Sequence, residues 1–155
     1  MSQPLGDLLA EAVPREEPFD AVVPVPLHWL RRWRRGFNQS ELLARGLAGR
    51  LRIPMLSVLR RTRSTGIQAG LSNTARRRNV ARAFRCSRIR AVAEKRILLI
   101  DDVMTTGSTA AACALALKRA GAARVVLATV ARVDRRFAPV RPAASKSTGG
   151  SSDGK

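Results

Sequence analysis

Ile97-Leu98-Leu99-Ile100 runs directly into two adjacent carboxylates, Asp101 and Asp102, and then into Val103-Met104-Thr105-Thr106-Gly107-Ser108-Thr109. Each part of that order has a chemical use. In an open α/β sheet, ligands sit beyond the carboxyl ends of strands, so a buried strand here brings both carboxylates to a site edge. A turn over Thr105–Thr109 that opens a helix presents backbone N–H groups where an anion is favoured. Thr105, Thr106, Ser108 and Thr109 add hydroxyls, and Gly107 lets the backbone close around a phosphate. Two carboxylate acceptors beside a phosphate cradle suit a ligand with hydroxyls next to a phosphate, and ribose 5-phosphate has that form. The competing interpretation is an ordinary strand end with incidental polar residues. No Gly-x-x-x-x-Gly-Lys-Ser/Thr occurs, so a Walker-type nucleotide site fits poorly.

The elements that must position these residues follow from hydrophobic pattern and caps. Arg96–Asp102 reads as a buried strand, Thr109–Ala120 as a helix stopped by Gly121, and Arg124–Ala131 as another apolar strand. Strand, helix, strand in that order predicts a βαβ unit and a parallel sheet. Upstream, Phe19–Val25 reads as a strand ending in the stiff turn Pro24-Val25-Pro26-Leu27. Asn38 caps a helix, with Glu41 as a capping-box partner. Leu43, Leu47 and Leu51 form its apolar stripe, and Leu42 broadens it. Met55–Leu59 and Val80–Phe84 are candidate strands on either side of a long polar loop.

Three segments follow: Met1–Pro18 as a helical appendage, 19–134 as the main domain, and 135–155 as a tail. Ser145–Lys155 is too poor in apolar residues to fold, so the tail is expected to be disordered.

The 155 residues suffice for one domain with a core, and 45% are hydrophobic. The formal charge of +18 favours anionic partners, either phosphorylated small molecules or nucleic acid. Cys86 and Cys113 are far apart and lack metal spacing, which argues against a zinc ribbon or a disulfide framework and fits a reducing cytoplasm. No stretch is long and apolar enough for a membrane span. His28 is the only histidine, so a Ser-His-Asp set is excluded unless it serves as the base. The run Arg31-Arg32-Trp33-Arg34-Arg35 reads either as a phosphate grip with Trp29 and Trp33 stacking on bases, or as a solvated charge run.

Ile97–Thr109 resembles, at each position, the motif of type I phosphoribosyltransferases that binds 5-phosphoribosyl-1-pyrophosphate (PRPP). A narrower resemblance is carried by Val23-Pro24-Val25-Pro26-Leu27-His28, Arg35-Gly36-Phe37-Asn38-Gln39, Gln68-Ala69-Gly70-Leu71-Ser72 and Arg77-Arg78-Asn79-Val80. These motifs, in this order, are similar to the ComF (competence protein F) family over about Phe19–Val133. Many family members begin with a cysteine-rich zinc ribbon and more N-terminal helix. These residues hold neither, so the expectation is a truncated start or a ribbon-less variant.

The resemblance implies a type I phosphoribosyltransferase fold, a mainly parallel twisted sheet flanked by helices. It assigns Asp101 and Asp102 to the ribose hydroxyls as the catalytic pair. It assigns Thr105, Thr106, Gly107, Ser108 and Thr109 to the 5′-phosphate, and Pro24, Val25, Pro26 and Leu27 to pyrophosphate. Gln68, Arg76 and Arg77 would belong to a flexible loop that closes over PRPP. Mg2+ would arrive with PRPP, with no direct protein ligand expected and water-mediated contact to Asp101 and Asp102 at most. The implied activity is phosphoribosyl transfer to an unidentified acceptor. The alternatives are a non-catalytic single-stranded DNA-binding factor for DNA uptake, working with competence proteins, or a regulator that senses PRPP.

Overall fold

Val22, Val23, Ile97, Leu98, Leu99 and Ile100 are all fully buried, so the two strands that carry them are covered on both faces. Uninterrupted aliphatic runs are what parallel strands between two helical layers require. The computed structural model describes residues 9–11, 13, 17–26, 36–62, 74, 82–104 and 107–132. Among the described residues three parallel strands form the central sheet in the order β1, β4, β5: β1 (Ala21–Pro24), β4 (Arg96–Met104) and β5 (Arg124–Arg132). Met55 adds a single parallel bridge to Val22 on the other side of β1. A separate antiparallel pair joins β2 (Leu59–Arg61) to β3 (Phe84–Cys86).

Two longer helices cover opposite faces. α1 (Gln39–Leu51) buries Leu43 and Leu47 against Leu98 and Ile100. α3 (Ser108–Arg119) packs Cys113, Ala116 and Leu117 against Ile97 and Leu99, together with Val58 and Phe84. The short α2 (Ile89–Val92) tucks Val92 into the same cluster. Strand alternation sends odd-numbered β4 residues to the α3 face and even-numbered ones to the α1 face.

The expected parallel α/β architecture is present, with shifts at its margins. β1 is shorter than residues 19–25, and β4 runs two residues past Asp102 because Val103 and Met104 still pair with Ala131 and Arg132. Met55 makes only a bridge, and the strand expected there begins at Leu59 instead. The returning strand starts at Phe84, where the region expected over residues 80–84 ends. Leu42, expected in the buried stripe of α1, is 40% exposed, because the covered arc is filled by Leu43, Ala44, Leu47 and Ala48. Glu41 pairs with Arg45 at 3.2 Å, while the Asn38 side chain caps α1 by accepting from the Ser40 N–H at 3.2 Å.

Of the segment expected as an N-terminal appendage, residues 9–11 are helical, and Leu9 and Val13 are buried beside α1. The expected tail lies outside the described residues. Among the described residues no helix is long and apolar enough to cross a membrane.

The burial difference on α1 is measurable. Leu43→Ala should lower the unfolding free energy by about 2–5 kcal/mol, and Leu42→Ala by less than about 1 kcal/mol. Urea denaturation of both variants checks this; equal losses would contradict the assignment of the buried face.

Candidate functional site

The two helices leave adjacent strands in opposite directions. β1 leads into α1 on one face and on to Met55 at the far side of β1. β4 leads into α3 on the other face and on to β5. The gap between the carboxyl ends of β1 and β4 is therefore a topological switch point, where open α/β sheets bind ligands.

The last ladder bond between these strands runs from the Val25 N–H to the Ile100 carbonyl at 2.8 Å. A continuing parallel ladder would next join the Asp102 N–H to the Val25 carbonyl. Both groups bond to α1 residues instead. The Asn38 Nδ2 donates to the Val25 carbonyl at 3.2 Å, and the Asp102 N–H donates to the Ser40 Oγ at 3.1 Å. The Ser40 hydroxyl also reaches the Asp102 Oδ1 at 3.4 Å, a long contact that adds less than the backbone bond. Ser40 is only 3% exposed, so the exchange takes place out of solvent.

Asp101 and Asp102 lie just past the last residue paired with β1; alternation roots them on opposite faces of β4, yet their carboxyl groups come close enough to interact. Asp102 turns to α1 and Ser40. Asp101 lies on the α3 side and is 8% exposed. Burial pushes the Asp101 carboxyl up to about 6. The negative charge of Asp102 and a side-chain hydrogen bond with it add to the rise, and a backbone hydrogen bond from Asp102 opposes it. The Cys113 thiol is pushed up to about 12, first by burial and then by the Asp101 charge, with Arg61 opposing. Cys113 is therefore a packing residue and not a nucleophile near neutral pH.

Beyond β4, Gly107 adopts φ 76° and caps α3 with no side chain to accept from the helix N–H groups. Among the described residues a Cβ there would meet the Met104 side chain, at 3.5 Å from its sulfur, an ordinary contact, so the positive φ is what selects glycine. The contrast with α1, whose Asn38 occupies the capping position, is chemical. The glycine at the N-cap of α3 offers no side-chain acceptor, and exposed Ser108 and Thr109 stand at a helix N-terminus, where an anion is favoured. Thr105 and Thr106 lie outside the described residues.

On the β1 side, Pro24 and Pro26 have no N–H, and the Val25 N–H is spent on Ile100. Of the four residues expected to bind pyrophosphate, Pro24, Val25 and Pro26 thus offer no backbone donor and act as a stiff wall. Leu27 lies outside the described residues, as do His28, Gln68, Arg76 and Arg77.

A cleft of about 630 Å³ opens beside this wall, lined by Pro24, Pro26, Phe37, Leu42, Arg60 and Arg61 among others. Its size suits a small-molecule ligand. Phe37 is 52% exposed there, and neither Asp101 nor Asp102 lines it. Arg60 donates to the Ser57 and Leu59 carbonyls, and Arg61 lies over the Phe84 ring at 5.5 Å. Sequence reasoning missed Ser40, Phe37, Arg60 and Arg61. Only the exposed aromatic next to Gly36 carried a local signal.

Among the described residues no three His, Cys, Asp or Glu side chains converge. The two carboxylates are oxygen donors of the kind Mg2+ accepts, and they fit an ion that brings further oxygen ligands on a phosphorylated substrate.

The parallel sheet, the switch-point carboxylates and the glycine-capped helix define a phosphoribosyltransferase-type α/β domain. The family described as "Phosphoribosyl transferase domain" matches residues 34–148. The chain is 39% identical over 119 residues to Competence protein F of Haemophilus influenzae, covering 73% of this chain and 50% of that protein. DNA utilization protein YhgH of Escherichia coli K12 is 46% identical over 107 residues, covering 68% of this chain and 46% of that protein. The chain thus spans about half the length of these curated relatives.

Among solved structures, glutamine PRPP amidotransferase from B. subtilis, complexed with ADP and GMP, gives a TM-score of 0.58 at 25% identity. That match covers 83% of this chain and 26% of that one. Adenine phosphoribosyltransferase from Saccharomyces cerevisiae gives 0.56 at 21% identity, covering 86% of this chain and 69% of that one, a likeness of fold. The chain belongs to the phosphoribosyltransferase family, and within it to the competence protein F (ComF) group.

Holding Asp101 in a buried place has a pH-dependent cost. Its carboxyl is raised above the unfolded value, so its contribution to stability is full below about pH 4 and is lost as pH rises through about 6. Two pKa units correspond to at most about 3 kcal/mol, less if water reaches the group. Asp101→Asn should therefore raise the urea midpoint at pH 7.5 and leave it nearly unchanged at pH 4. A midpoint lowered at pH 7.5 would overturn this.

Proposed function

We propose that the switch-point crevice binds PRPP as its Mg2+ complex, and that the chain transfers the phosphoribosyl group to an acceptor with release of pyrophosphate. The single observation that carries this reading is a buried carboxylate, Asp101, in the second half of β4 and six residues before the glycine that caps α3. Ribose hydroxyls donate well to carboxylates, and a 5′-phosphate suits a helix N-terminus. Asp101 and Asp102 would accept from the 2′- and 3′-hydroxyls. The N–H groups and hydroxyls of Ser108 and Thr109, with Thr105, Thr106 and the Gly107 backbone, would hold the 5′-phosphate.

The bond from C1′ to the pyrophosphate oxygen breaks and its electron pair leaves with pyrophosphate. A lone pair on the acceptor forms the new bond at C1′, and the acceptor proton passes to solvent. Positive charge builds on the ribose as that bond loosens, as in glycoside chemistry. The carboxylates would stabilise that charge and fix the sugar for in-line attack. Mg2+, near Asp101 and Asp102, would neutralise the leaving pyrophosphate. Gln68, Arg76 and Arg77 are further candidates for pyrophosphate contact.

Calorimetric titration with Mg-PRPP tests this. The unaltered chain should bind, and Asp101→Asn and Asp102→Asn should each weaken binding by about tenfold or more, the scale of one lost charge-assisted hydrogen bond. Affinity unchanged in the double variant would remove the site assignment. Appearance of pyrophosphate with mixed acceptors present would then separate a transferase from a PRPP sensor.

The charge of +18 favours a second function on the same fold, single-stranded DNA binding, in keeping with the names of the competence and DNA-utilization relatives. Its signature is affinity for an oligonucleotide that falls steeply with salt concentration. A fluorescence-anisotropy titration showing salt-insensitive binding, or none at 50 mM salt, would rule it out.

A further inference from the structure

We infer that Ser40 is a positioning residue: it holds Asp102 in place by substituting for the ladder partner that β1 withholds. The inference rests on the proposed use of Asp102 toward ribose. Three observations converge on it. The Asp102 N–H faces the β1 side of β4, the side on which Ile100 accepts from Val25, yet its acceptor is the Ser40 Oγ at 3.1 Å. The Val25 carbonyl, the partner that a regular ladder would have supplied, is taken by Asn38 Nδ2 at 3.2 Å. The same Asn38 accepts from the Ser40 N–H at 3.2 Å, which fixes the backbone from which the Ser40 hydroxyl projects.

One turn of helix thus caps both halves of a broken ladder bond. The break lets β1 and β4 part without leaving an unpaired buried polar group, which would be strongly unfavourable. Ser40 contacts Asp102 over a sequence separation of 62 residues, and α1 makes no other side-chain hydrogen bond to β4 among those described. Its hydroxyl can accept from the Asp102 amide and donate to the Asp102 carboxylate at once, which neither a methyl nor a thiol does as well. Alanine would orphan the amide and free the carboxylate to rotate. Cysteine would keep the volume and lose most of the bond. Threonine keeps the oxygen.

The test has two independent readouts. The first needs no ligand: hydrogen exchange at the Asp102 amide, followed by NMR, should be protected in the unaltered chain and in Ser40→Thr, and accelerated in Ser40→Ala and Ser40→Cys. The Ile100 and Leu98 amides should stay protected in all four, showing that the sheet is intact. The second is a double-mutant cycle on Mg-PRPP affinity. Ser40→Ala should weaken binding about tenfold or more in the unaltered background and have almost no further effect in Asp102→Asn, because it acts through that residue.

Unchanged Asp102 exchange in Ser40→Ala, or additive losses in the cycle, would overturn the inference. If the unaltered chain does not bind Mg-PRPP at all, the proposed function falls, while the exchange experiment still decides whether Ser40 pins Asp102. If Ser40→Ala does not fold, the Cys and Thr pair carries the comparison.

Discussion

The structure depends on one interrupted hydrogen bond. Between β1 and β4 the parallel ladder stops at Val25 and Ile100, and the two groups that would form the next bond are satisfied by the first turn of α1. Without that substitution the strands would either stay zipped, closing the crevice, or part with a buried amide and carbonyl unpaired. Everything else in the site follows from the parting. Asp101 and Asp102 emerge beyond the pairing, the Pro24–Pro26 wall ends β1, and α3 begins at Ser108, after three intervening residues, with a glycine at its N-cap.

The two aspartates have different surroundings, because strand alternation roots them on opposite faces of β4. Asp102 is tied to the α1 layer through Ser40. Asp101 is tucked into the α3 layer beside Cys113, where burial and its neighbour's charge hold its carboxyl near 6. A carboxylate kept at such a place weakens the free protein at neutral pH, and a ligand that donates hydroxyl hydrogen bonds to it recovers part of that loss. On the proposed function, stability and binding would be in tension at this residue.

Much of this was legible in the sequence. Four aliphatic residues before an acidic pair and a glycine turn have few structural solutions, and the strand, helix, strand unit around Asp101 has the expected order. The Asn38 cap was legible for the same local reason. Ser40 was not. A serine in the first turn of a helix is unremarkable, and its partner is 62 residues away, so no local pattern signals the contact. β2 and β3 were displaced in the reading because each holds one buried apolar residue, Leu59 and Phe84, among basic neighbours, too little to show a period of two. Leu42 was misassigned because a four-leucine helix allows several arcs, and only the tertiary packing of β4 selects among them.

The central claim, that the crevice between β1 and β4 is a sugar-phosphate site, is tested most directly by mapping amide chemical shifts in the 15N-labelled chain as ribose 5-phosphate and Mg2+ are added. The amides of Asp102, Gly107, Ser108 and Thr109 should shift together and saturate with one dissociation constant. Shifts confined to the Phe37, Arg60 and Arg61 cleft, with the α3 N-terminus unmoved, would contradict it.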